Sequence, residues 1–131
     1  MDSQNFYLSQ KLPLLAPPAW IFGVVWPFLY ILIFISYGMI VSKTLKGEVS
    51  FLFLLPFIIN IISNALFTYF QFGIKNNLLA FIDILIILVT IIITIILTWR
   101  SYPSVAYMQI PYLLWVSFAT YLQTGILILN K

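Results

Sequence analysis

Apolar residues run through this chain in four long stretches separated by short polar joints. From Leu12 to Ser42 no side chain is charged, and Trp20 to Val41 alone is long enough to cross a hydrocarbon layer of ~30 Å as a helix. Val49 to Ile74 is uncharged, Leu78 to Leu97 carries one carboxylate at Asp83, and Tyr102 to Asn130 carries none. The stretches show little period-two alternation and far exceed the ~10 residues of a barrel strand. The pattern therefore predicts an all-α fold, an integral membrane helical bundle of four transmembrane helices at about 18–42, 49–74, 77–99 and 104–129. One domain, 1–131, fills the chain.

The joints Ser42-Lys43-Thr44-Leu45-Lys46-Gly47-Glu48, Lys75-Asn76-Asn77 and Arg100-Ser101-Tyr102-Pro103-Ser104 are short enough to make consecutive helices antiparallel. Pro27, Pro56 and Pro111 fall inside apolar runs, where each removes a backbone donor and can bend a helix that its neighbours then support. No internal repeat and no secretory leader with a small-residue cleavage site is visible.

Composition supports the same class. With 63% hydrophobic and 7% charged residues, 131 residues cannot cover a water-soluble core with polar surface. The net charge of +3 is spread over loops and ends, which gives no basis for nucleic-acid binding. Lys11, Lys75 and Lys131 fall on one side of a four-span bundle and Lys43, Lys46 and Arg100 on the other, so an excess of basic residues assigns no orientation. Histidine and cysteine are both absent, which removes disulfides, thiolate nucleophiles, imidazole bases and nearly every transition-metal site. No metal site or required cofactor is expected, and a tetrapyrrole would have to be held by stacking and apolar contact.

Aromatic residues are the candidates for chemistry. At 3.6 residues per turn, Gly23, Trp26, Tyr30, Ile33 and Tyr37 share one face of the first span, and Tyr112, Trp115, Ala119, Leu122 and Ile126 share one face of the last. Trp20 and Trp99 lie at span ends and suit an interfacial belt, whereas Trp26 is ~9 Å inside and Trp115 is near the midplane. Trp115 beside the small Ala119 leaves room for a planar ligand, although such stripes also occur as plain helix packing. Asp83 is costly in a membrane and is expected to reach the interface or hydrogen-bond to a neighbouring helix, a proton or cation site being the alternative. Asn60 and Asn64, four apart, are expected to bond across helices.

The same residues carry a family resemblance. Pro17-Pro18-Ala19-Trp20, Phe22-Gly23, Val25-Trp26 and Leu29-Tyr30, with Pro111-Tyr112-Leu113, Trp115 and Phe118-Ala119-Thr120, resemble the TspO/translocator protein family, also called tryptophan-rich sensory or peripheral benzodiazepine receptor proteins. Asn60, Leu66-Phe67, Ala80, Asp83 and Trp99-Arg100 look like further family positions, and the similarity covers about residues 6–130. The resemblance implies multi-pass membrane proteins of five helices, commonly homodimers, that bind protoporphyrin-like tetrapyrroles. Animal members also bind cholesterol and drugs. It further implies a bacterial cell-membrane location for a chain of this type. By position, Tyr7, Trp26, Trp115, Ala119 and Leu122 resemble ligand-binding residues, with Tyr7 in the loop that roofs the pocket. Trp26 and Trp115 would also be the catalytic pair if, as reported for some bacterial members, porphyrin is degraded in light.

This sequence departs from the family at several points. Phe6 stands for a loop tryptophan, Leu12 for a lysine, Ser63 for a frequent tryptophan and Gln123 for a common asparagine, and the family's first helix has no counterpart ahead of Phe6. The loose sterol pattern appears at Leu32–Tyr37–Lys43 and Leu66–Tyr69–Lys75, not in the last helix where animal members have it. Three functions follow as expectations: tetrapyrrole binding for porphyrin sensing, transport or homeostasis; light-dependent porphyrin degradation; and a structural membrane subunit with no small-molecule ligand.

Overall fold

The computed structural model describes residues 10, 12–13, 16–18 and 20–130, apart from the Phe72 side chain. Helix α1 spans Trp20–Leu45. A 3₁₀ turn at Phe51–Leu54 leads into α2, Leu55–Thr68, which widens into a π turn at Tyr69–Gly73. Helices α3, Asn77–Thr98, and α4, Pro103–Leu129, complete the bundle. Counting α2 with its flanking turns, four helical segments among the described residues are long and apolar enough to cross a membrane.

Local chemistry sets the ends of these helices. Gly47, at φ 78°, closes α1: its N–H donates to Thr44 O at 3.0 Å, and Glu48 N–H donates to Lys43 O at 3.0 Å. This is the six-to-one and five-to-two pairing of a Schellman cap, whose left-handed residue is usually glycine. The Ser50 hydroxyl accepts from Leu52 N–H at 3.2 Å, and Asn76 Oδ1 accepts from Leu79 N–H at 3.0 Å to start α3. Pro27 and Pro111 are inside their helices, but Pro56 is not a mid-helix bend. It occupies the first turn of α2, where its missing N–H would have no intrahelical partner anyway.

Helix α4 packs on both α3 and α1, while α3 also packs on α2. The core is a narrow seam. From α1 it takes Leu29, Ile33, Ser36, Tyr37, Ile40 and Thr44, a three-to-four spacing that lays one stripe inward. Opposite it, Phe28, Ile31, Phe34 and Ile35 are exposed, as a bundle solvated by lipid tails permits. On α3, Thr90, Thr94 and Thr98 face inward and return their hydroxyls to carbonyls one turn back, at 2.9, 2.8 and 2.7 Å. Trp20 and Trp99 are exposed at helix ends, 64% and 50% respectively, which suits headgroup contact.

Candidate ligand site at the seam of the first and last helices

Aromatic side chains from α1 and α4 meet along one seam. Phe22 sits edge-on to Trp115, with ring centroids 5.7 Å apart and planes at 69°, and Trp115 also meets Phe118 at 5.7 Å. One turn beyond Phe22, Trp26 lies 5.6 Å from Tyr30 with a 32° tilt. Both Trp26 and Trp115 are partly buried against the main core cluster, as is Ala119. Leu122 is buried in a second cluster with Ile126, against which Leu12, Ala16 and Phe22 pack. Phe22 therefore joins the two clusters, and it, rather than Trp26, is the α1 aromatic in ring contact with Trp115.

Of the residues picked out by sequence, Trp26, Trp115 and Ala119 pack against the main core cluster and Leu122 belongs to the second. Tyr7 lies outside the described residues. The α1 stripe differs in phase from the face drawn through Gly23. That glycine is exposed, and a Cβ there would meet nothing within 4 Å. Phe22 is a further residue of this site, and its position four residues before Trp26, which puts both on one face, is the sequence signal for it.

Trp115 brings an unusual polar feature. Its indole N–H is buried and has no acceptor among the described residues. A buried donor left unpaired costs ~1–3 kcal/mol, so such a group is noteworthy at an aromatic seam.

Beneath the seam lies a hydrogen-bonded network drawn from all four helices. Asn60, fully buried on α2, accepts from Tyr37 OH at 2.7 Å and Tyr112 OH at 3.1 Å. Its amide donates to Thr90 Oγ1 at 2.9 Å and to Ile87 O at 3.3 Å. Asn64 donates to Tyr112 OH at 2.6 Å and accepts from Tyr30 OH at 3.0 Å. Gln109 extends the network by donating to Ser36 Oγ at 2.7 Å. Both asparagines bond across helices, as their shared face suggested.

A second polar group lies at the end where α3 begins. The π turn places Gln71 inward, and Gln123 Nε2 donates to Gln71 Oε1 and to Asn77 O, each at 3.0 Å. Asn77 Nδ2 donates to Gln10 Oε1 at 3.2 Å, which ties the N-terminal segment to α3. Pro13 sits directly on Gly125 of α4. The segment through Leu12, Pro13 and Ala16 consequently lies over Leu122 and Ile126.

Asp83 faces the interior of the bundle: it is 4% exposed, and its Oδ2 has no partner among the described residues. Replacing it by asparagine keeps the size and one acceptor oxygen and removes a chargeable group from a site with no described counter-ion. Asp83→Asn is expected to unfold in detergent at or above the wild-type midpoint, by up to about 1 kcal/mol. A lowered midpoint would show that the carboxylate itself holds a partner.

Comparison with known proteins agrees with this architecture. The family model described as the TspO/MBR family matches residues 1–129. Relatives include "Uncharacterized membrane protein YtaB" of Bacillus subtilis, 36% identical over 128 residues, covering 97% of this chain and 81% of the relative. "Tryptophan-rich protein TspO" of Bacillus cereus is 35% identical over 127 residues, 97% of this chain and 82% of its own length. "Protein CrtK" of Rhodobacter capsulatus is 30% identical over 125 residues, 95% and 78% of the two chains. With four apolar spanning helices and a match along almost its whole length, the chain belongs to the TspO/MBR family and is an integral, multi-pass membrane protein.

Proposed function

We propose that this protein binds a flat, hydrophobic tetrapyrrole of the protoporphyrin type at the α1–α4 seam, in the service of porphyrin sensing, transport or homeostasis. The observation that carries the proposal is Trp115. Its ring stands edge-on to Phe22 across the seam, and its buried N–H has no acceptor among the described residues. A macrocycle lying against the aromatic walls would exchange lipid contacts for stacking, and a nitrogen or oxygen on it would accept from the indole. Ala119, one turn from Trp115, keeps the α4 side of the seam low, and Leu122 continues the apolar wall. Trp26 supplies the wall on α1.

Titrating protoporphyrin into the detergent-solubilised chain is expected to quench tryptophan emission saturably. Trp115→Phe keeps an aromatic ring but deletes the donor, and should weaken binding roughly fivefold, the equivalent of ~1 kcal/mol for one hydrogen bond. Unchanged emission on titration would refute the proposal. So would wild-type affinity in both Trp26→Phe and Trp115→Phe.

A further inference from the structure

We infer that Tyr30, Asn64 and Tyr112 form a positioning relay that holds the Trp26 indole in its place at the seam. The inference rests on the reading of Trp26 as a wall of the ligand site. Tyr30 is 40% exposed yet lies roughly 15 Å along α1 from Trp20, at a depth where lipid tails offer its hydroxyl no partner. That hydroxyl donates to Asn64 Oδ1 at 3.0 Å. Asn64, 8% exposed, is itself fixed because its amide donates to Tyr112 OH at 2.6 Å. Tyr112, with no exposed surface, donates its own hydroxyl hydrogen bond to Asn60 Oδ1 at 3.1 Å.

Each link removes a rotational freedom from the next. The fully buried Tyr112 and Asn60 pin Asn64, and Asn64 pins the far end of the Tyr30 ring. The Tyr30 ring then lies 5.6 Å from the Trp26 ring, tilted by 32°, and closes off one side of the indole. An aromatic at the edge of a lipid-solvated bundle would otherwise sample several rotamers. The relay also bridges α1 to α2, two helices that meet here through hydroxyl and amide groups. Tyr30 and Asn64 are thus positioning residues: they act on a ligand through the indole they hold.

The test uses the full chain labelled with 5-fluorotryptophan and read by fluorine NMR without ligand, the Trp26 signal being assigned by its loss in Trp26→Phe. Tyr30→Phe keeps the ring and deletes the tether. It is expected to shift or broaden the Trp26 resonance while those of Trp20 and Trp99 stay in place. Asn64→Leu, which cuts the relay one step further back, should do the same. Protoporphyrin affinity should fall about three- to tenfold in both variants, the range one interhelical hydrogen bond in a membrane supports. A Trp26 resonance unmoved in both variants would overturn the inference. Because this readout needs no ligand, a Trp26 signal that moves in both variants, alongside a wild-type chain that does not bind protoporphyrin, would leave the relay standing and refute only the binding proposal.

Discussion

Asn60→Leu is expected to destabilise the bundle by about 3 kcal/mol, more than any lipid-facing substitution. Leucine is close to asparagine in size, so packing changes little and the loss falls on hydrogen bonding. The wild-type side chain satisfies Tyr37 and Tyr112 as acceptor and reaches Thr90 and Ile87 as donor. Interhelical bonds in membranes average only ~0.6 kcal/mol, because partly unfolded helices find other partners. The Tyr112 O–H loses its acceptor, although its oxygen still accepts from Asn64, and the Tyr37 O–H is left with the long contact to Gln109 Oε1 at 3.5 Å, so these two buried donors add ~1 kcal/mol apiece. Denaturation by sodium dodecyl sulfate titration in mixed micelles measures the difference. Ile61→Ala, on an exposed face of the same helix, is the control. If Asn60→Leu proves no weaker than the control, the network contributes nothing measurable to stability.

Gly125→Val is expected to dislodge the N-terminal segment from the end of α4. A Cβ built on Gly125 falls 2.5 Å from Pro13 Cβ and 2.6 Å from Pro13 Cγ, about 1 Å inside ordinary contact distance. The α4 backbone has little freedom to retreat, because Leu122, Gln123 and Ile126 around Gly125 are all buried. The proline ring is part of the backbone and cannot rotate away, so the segment must move, at a cost of ~1–3 kcal/mol. Leu12 and Ala16 would lift from Leu122 and Ile126 with it. The Ala16 N–H, which donates to Pro13 O at 3.2 Å, reports the change directly. Its hydrogen exchange should accelerate in Gly125→Ala and further in Gly125→Val, with amides in the middle of α3 unaffected. Unaltered exchange at Ala16 would show that the proline does not rest on the glycine.

The spans were readable because membrane insertion writes itself into composition: four apolar stretches, with one charge among them at Asp83, became four helical segments. Asn60 and Asn64 were readable for the same reason, since an amide has few uses in hydrocarbon other than a partner on another helix. Rotational phase was less legible. Nearly every α1 side chain is apolar, so lipid-facing Phe34 and core-facing Ile33 cannot be told apart by polarity, and helical spacing alone points the inner face through Gly23 instead of Phe22. The π turn that brings Gln71 to Gln123 has no marker in the sequence, because an extra residue per turn alters phase without altering composition. Pro13 on Gly125 joins opposite ends of the chain and leaves no local trace.

The network centred on Asn60 also bears on how the protein is made. Its members enter the bilayer in chain order, with Tyr37 on α1, Asn60 on α2 and Thr90 on α3 arriving before Tyr112 and Gln109 on α4. A nascent chain halted after α3 therefore holds Asn64 amide hydrogens with their α4 acceptor still undelivered, and Ser36 without its glutamine. Insertion of α4 is what extinguishes these polar signals, so a precursor arrested before it should be a preferred client of membrane quality-control proteases, which the bundle with α4 in place escapes.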